Sequence, residues 1–149
     1  MARWVNYEVA YADLESRDPG ERLLVLLGEF AAGGLLLTPD EYRELFIFAW
    51  ADGANNAADV DHDTLRMLRW LAPVRDAETY LSGTLTIYRP ADAGDRSIRW
   101  TLDESVARRE GNGVVRGSVQ ASDVLAHLVG EGTNRTLVDP DDVSDVAPF

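Results

Sequence analysis

Gly83-Thr84-Leu85-Thr86-Ile87-Tyr88-Arg89-Pro90, residues 83–90, is where the chain changes its period. From Thr84 to Tyr88 the residues alternate and are rich in β-formers, which predicts a strand. Upstream the period is helical. Pro19-Gly20-Glu21 opens a run whose Leu23, Leu24, Leu26, Leu27 and Phe30 crowd one broad face, and Gly33-Gly34 supplies a stop. Thr38 can cap the next helix, with Pro39 at its first position and Glu41 three residues after the cap, the pattern of a capping box. That helix continues through Tyr42, Leu45, Phe46, Ala49 and Trp50 to an end near Gly53, and its aromatic stripe reads as core. Ala51 to Asp63 reads as a loop. A third helix is expected from about Thr64 to Leu71, with Leu65, Leu68 and Leu71 inward and Pro73 beyond its end.

Downstream of the decisive strand the signals are shorter. A turn at Pro90 to Asp95 leads to an extended piece at Ser97 to Trp100 and a short helix from Asp103 to Arg109. Asn112-Gly113 turns the chain into a strand at Val114 to Val119. Ser122 can cap a brief helix through Leu128, with Asp123 in its first turn, and a final strand is expected at about Thr136 to Val138. Helices first and short strands later predict an α+β fold and not a parallel βαβ series.

Composition bounds the function. The 149 residues suit one domain, and 46% of them are hydrophobic, so the chain can build a core. All 14 basic residues are arginine, against 26 acids, for a net charge of −12. Arginine without lysine fits the codon supply of a high-GC genome. It also removes a lysine nucleophile, a Schiff base and a P-loop lysine from consideration. An acidic chain repels phosphate backbones, so no nucleic-acid partner is expected. With no cysteine there is no disulfide, thiolate nucleophile or Cys-based metal site. Met1 to Tyr11 is too polar for a signal segment, and the apolar stretch at Leu35 to Leu37 is far short of a span, so a cytoplasmic protein without membrane insertion is expected.

Candidate chemistry is sparse. Asp59, Asp61, His62 and Asp63 mimic the start of a calcium loop, but Thr64 stands where glycine must turn and Trp70 where glutamate must chelate, so no metal site is expected. His62 and His127 lack zinc spacing, and neither belongs to a nucleophile signature. Asn134-Arg135-Thr136 is formally a glycosylation sequon, without meaning for a chain that is not secreted. Asp139, Asp141, Asp142 and Asp145 read as a charged terminus.

One stretch points to a family. Tyr88-Arg89-Pro90, then Arg99-Trp100-Thr101-Leu102-Asp103, Val106-Ala107, the strand Val114 to Val119, Asp123-Val124-Leu125-Ala126 and Gly130-Glu131-Gly132-Thr133-Asn134-Arg135-Thr136-Leu137-Val138-Asp139-Pro140 follow one another in order. Over the 57 residues from Thr84 to Pro140, this succession resembles the ADP-ribosyltransferase-like domains of small phage and actinobacterial proteins. The resemblance implies N-terminal helices packed on a small, split, mostly antiparallel β-sheet core. It implies one domain over 1–149, with a helical part at 1–80, a transferase-like β part at 81–140 and an acidic tail at 141–149.

In that family the arginine after the first strand holds the phosphate or ribose of NAD, and a late glutamate stabilises the oxocarbenium-like transition state. By resemblance, Arg89, Trp100 and Thr101 are the remnant of a cofactor site. Arg99 stands at the serine position, Glu110 at the phenylalanine position, and Thr133 and Arg135 at the two glutamates. Departure of nicotinamide builds positive charge on the ribose, so a carboxylate is needed and an arginine has the wrong sign. Losing one such group costs about 3–4 kcal/mol of transition-state stabilisation. The candidates to substitute for it are Glu131, through a shift of register by two to four residues, and Glu110.

The expectation is therefore a degenerate, phage-encoded member without a cofactor that binds a host or viral protein in the cytoplasm of a high-GC bacterium. One alternative is an active mono-ADP-ribosyltransferase that uses NAD to modify a host protein. Another is an acidic nucleic-acid mimic that blocks a basic host site. Charge is unevenly placed: residues 1–80 carry −8, residues 81–138 are neutral and residues 139–149 carry −4.

Overall fold

The computed structural model describes residues 4–32, 37–50, 61–76, 80–130 and 134–149. The fold is α+β, and it divides into two compact units, Met1–Leu71 and Ala72–Phe149.

The first unit is helical. Its elements are α1 (Tyr7–Glu15), α2 (Pro19–Ala31), α3 (Pro39–Trp50) and α4 (Asp61–Leu71). Helix α2 packs against the other three, and α3 packs against α1 and α4. Leu14, Leu26, Leu45, Phe46, Met67, Leu68 and Leu71 are fully buried. The capping box forms as read: the Thr38 amide donates to Glu41 Oε1 at 2.8 Å, and the Glu41 amide donates to Thr38 Oγ1 at 3.2 Å. Helix α1 has no counterpart in the sequence reading. Its start is fixed by Asn6, whose side chain accepts from the Val9 amide at 2.9 Å.

Arginines close two helix ends by taking up carbonyls that a helix leaves without partners. Arg22 donates to the Leu14 and Glu15 carbonyls at 2.9 and 3.3 Å, and Arg43 donates to the Leu71 carbonyl at 2.6 Å. The reading had the third helix starting near Thr64. It starts at Asp61, so Asp61 and Asp63 lie in the first turn, where carboxylates favour the dipole. The expected stops at Gly33-Gly34 and Gly53, and most of the loop 51–63 with Asp59, lie outside the described residues.

The second unit holds the strands β1 (Val74–Arg75), β2 (Thr84–Pro90), β3 (Arg99–Trp100), β4 (Val114–Gln120), β5 (Ala126–Leu128), β6 (Arg135–Leu137) and β7 (Ser144–Pro148), with helix α5 (Glu104–Glu110) between β3 and β4. Four strands form one sheet in the order β1-β5-β6-β3, and three form a second in the order β2-β4-β7. Only β1 with β5 is parallel; the other named pairs are antiparallel. The two sheets touch at an antiparallel bridge, where Tyr88 and Thr101 exchange two backbone hydrogen bonds of 2.8 Å. Ile87, Trp100, Val119, Val124 and Val138 form the buried cluster beneath this join. Gly117 is required here, because a Cβ would lie 2.5 Å from Val143 Cγ1 and 3.4 Å from the Trp100 ring.

Two expectations are corrected. Ser122 does not cap a helix through Leu128: residues Ala121–Asp123 make one 3₁₀ turn, and Ala126–Leu128 is the strand β5. Pairing on both sides, with β1 and β6, outweighs a weak local helix signal. The acidic terminus is not merely a solvated tail either. Residues 144–148 form β7 along β4, and the Phe149 amide donates to the Val114 carbonyl at 2.9 Å.

Candidate functional site

Of the residues singled out on the second unit, Arg89, Trp100 and Thr101 lie at the join between its sheets. Arg89 sits near the end of β2, on the face that carries Ile87. Alternation turns it inward, and it is only 3% exposed. Its guanidinium lies 5.2 Å from the centre of the Trp100 ring, Nη1 donates to the Pro90 carbonyl at 3.2 Å, and Nη2 is 3.6 Å from Asp95. The Nε has no hydrogen-bond partner. Burial pushes the Arg89 pKa down, and the fully exposed Asp95 opposes this only in part. A buried, incompletely paired guanidinium costs stability and is a natural place for an anion to dock.

Trp100, on β3, belongs to the core: it is 2% exposed, and its indole N–H donates to the Ser97 carbonyl at 3.1 Å. Thr101 is fully buried and its hydroxyl is engaged internally, donating to Asn134 Oδ1 at 2.9 Å and accepting from the Asp103 amide at 3.1 Å. Arg99, on the same strand as Trp100, pairs in register with Leu137 of β6.

Beyond Asn134 the chemistry turns to ion pairing. Arg135, on β6, donates from Nη1 to Glu110 Oε1 at 2.9 Å, and a second bond joins Nη2 to Oε2. Such a two-pronged pair matches the geometry of guanidinium and carboxylate. Glu110 is the last residue of α5, where the helix dipole disfavours an acid, so Arg135 compensates for its position. The Arg135 side chain is mostly buried and Glu110 is about one-third exposed, so the pair is partly shielded from screening. Glu110→Gln is expected to destabilise the protein by about 1 kcal/mol, read as a lower urea midpoint. An unchanged midpoint would mean that the pair contributes nothing.

The structure thus brings together Arg89 with Trp100, Thr101 with Asn134, and Arg135 with Glu110. Glu131 and Thr133 lie outside the described residues. The pairing of Glu110 with Arg135 escaped sequence reasoning, although the signal was present as opposite charges at two positions departing from the same pattern. Asn134 was passed over as part of a sequon. Thr136 of that sequon is fully buried.

Elsewhere, His62 approaches Arg66 at 3.4 Å on α4, and among the described residues no three His, Asp or Glu side chains are grouped to hold a metal. No described helix is long and apolar enough to cross a membrane. No protein-family model matches the chain, and no curated protein or solved structure matches it either.

Proposed function

We propose that this chain is an ADP-ribosyltransferase-like protein that has lost transferase chemistry and acts by binding a protein, in the setting of a phage-encoded product inside a bacterial host. The observation that carries the reading is the Arg135–Glu110 pair. The position at which the resemblance calls for a transition-state carboxylate holds an arginine, and the nearest described substitute acid is bound to that same arginine. A carboxylate whose charge is already neutralised is a poor stabiliser of developing positive charge on a ribose. Thr101 points the same way, because both of its hydroxyl bonds are made within the protein.

Affinity capture from bacterial lysate, read by mass spectrometry, tests the binding half of the proposal. One protein is expected at near-stoichiometric yield and should survive a salt titration. Capture of nothing above background would overturn the reading. Steep release by salt would favour the acidic-mimic alternative.

A second reading is favoured by Arg89, whose buried Nε lacks a partner. In that reading the cradle still accepts the diphosphate of NAD. It predicts saturable heat on titration with NAD, weakened by Arg89→Ala. Absence of heat at about millimolar NAD, the upper end of ordinary substrate affinities, would end it.

A further inference from the structure

One of the two shortest strands of the second unit is held in an unusual way. Strand β1 is two residues long and lies at the edge of its sheet. It pairs in parallel with β5 in the register Val74 with Ala126 and Arg75 with His127, and the Val74 amide donates to the Leu125 carbonyl at 2.9 Å. Two residues of ladder give little cohesion. The adjoining Asp76 adds the rest: its carboxylate accepts from the Val129 amide at 2.9 and 3.0 Å and from the Gly130 amide at 2.7 Å. Glycine at 130 leaves room for this, because a Cβ would stand 2.9 Å from Asp76 Oδ2 and the carboxylate would have to shift.

Beside this clasp is a buried histidine. His127 is 3% exposed and lies between two strands. From β6, Thr136 Oγ1 sits 3.1 Å from His127 Nδ1, and the backbone of Arg135 hydrogen-bonds the ring, while the Arg135 guanidinium is held by Glu110. From the β1 side, Arg75 is the register partner, half-buried and bonded to the Val74 carbonyl at 3.1 Å, with no ion pair among the described residues. Asp76 is the carboxylate on that side, and its oxygens are occupied by the two amides. Burial first, and then the Arg75 charge, hold the His127 pKa below its ordinary value of 6.5, against weaker opposition from Asp76 and Arg135.

We propose that β1 and Asp76 form an acid-released clasp, in which a proton on His127 drives Val74–Arg75 off β5 and frees the amides of Val129 and Gly130. A protonated ring places a second cation beside Arg75 within the sheet, and among the described residues no unoccupied carboxylate there can absorb it. Detaching β1 removes Arg75 and admits water to the ring. The opposite edge strand, β3, is as short, but it carries the buried Trp100 and runs into the Tyr88–Thr101 bridge to the second sheet, so β1 is the edge that opens more readily. Because the folded pKa lies below the unfolded one, the clasp is at full strength above about pH 6.5 and weakens as pH falls through the folded value. The inference does not depend on the proposed function.

Hydrogen exchange of the full chain, read by mass spectrometry at about pH 7.5 and about pH 5 and corrected for intrinsic rates, tests the clasp. Peptides covering 72–76 and 125–130 are expected to lose about tenfold in protection at the lower pH while β2 and β4 keep theirs, and His127→Gln should abolish the difference. Equal protection at both pH values would overturn the proposal, as would the same loss in His127→Gln or a uniform loss that includes β2 and β4. Should His127→Gln fail to fold, the wild-type imidazole titration by NMR decides. A midpoint below 6.5 supports the clasp, and one at or above 6.5 contradicts it.

Discussion

Trp100→Ala is expected to cost about 3–5 kcal/mol, a large share of a fold stability on the order of 5–15 kcal/mol. The indole is 2% exposed at the join of the two sheets, clustered with Ile87, Val119, Val124 and Val138. Truncation removes its apolar area from the core and leaves a cavity beneath β2. It also removes the donor to the Ser97 carbonyl, which anchors the loop before β3, and the ring face below Arg89. Neighbours can collapse only partly, since Gly117 and Val143 are already tightly fitted on β4 and beside it. Urea unfolding followed by circular dichroism measures the effect. A change below about 1 kcal/mol would mean that the site relaxes freely and that the join is not the centre of this unit's stability.

Arg89→Met should act in the opposite direction and stabilise the protein by about 1–3 kcal/mol, since replacing a poorly compensated buried charge by an apolar group of similar length is commonly neutral or favourable. The guanidinium has one weak contact to an exposed carboxylate at 3.6 Å, one bond to a carbonyl and an unsatisfied Nε, all at 3% exposure. Methionine keeps contact with the Trp100 ring and removes the desolvation penalty. For a unit of this size the gain corresponds to a rise in Tm of about 4–8 °C per kcal/mol. A clear fall in Tm would show that Arg89 is a structural group whose bonds outweigh its burial. A rise would mark a residue held at a cost to stability, as binding residues often are.

Where local chemistry decides, the sequence was readable. Thr38 and Glu41 announced a helix start, Asp103 stands as the N-cap of α5, and the alternation from Thr84 onward announced β2. Elements fixed by tertiary pairing were not. Val74–Arg75 and Ala126–Leu128 are too short to carry a period; the first becomes a strand because β5 lies beside it, and the second because it pairs with β1 on one side and β6 on the other. Ser144–Pro148 reads as acidic and polar, yet β4 offers it a free edge. The candidate site was legible as a set of positions and illegible as a set of contacts. Nothing local couples Glu110 to Arg135, 25 residues apart, or Thr101 to Asn134, 33 apart, until β3 and β6 are adjacent.

Nicotinamide release tests the proposed loss of transferase chemistry most directly. The purified full chain, incubated with labelled NAD in the presence and absence of bacterial lysate, is predicted to release no nicotinamide above a no-enzyme control and to transfer no label to protein. Sustained, enzyme-dependent release, or labelling of a discrete protein, would contradict the account.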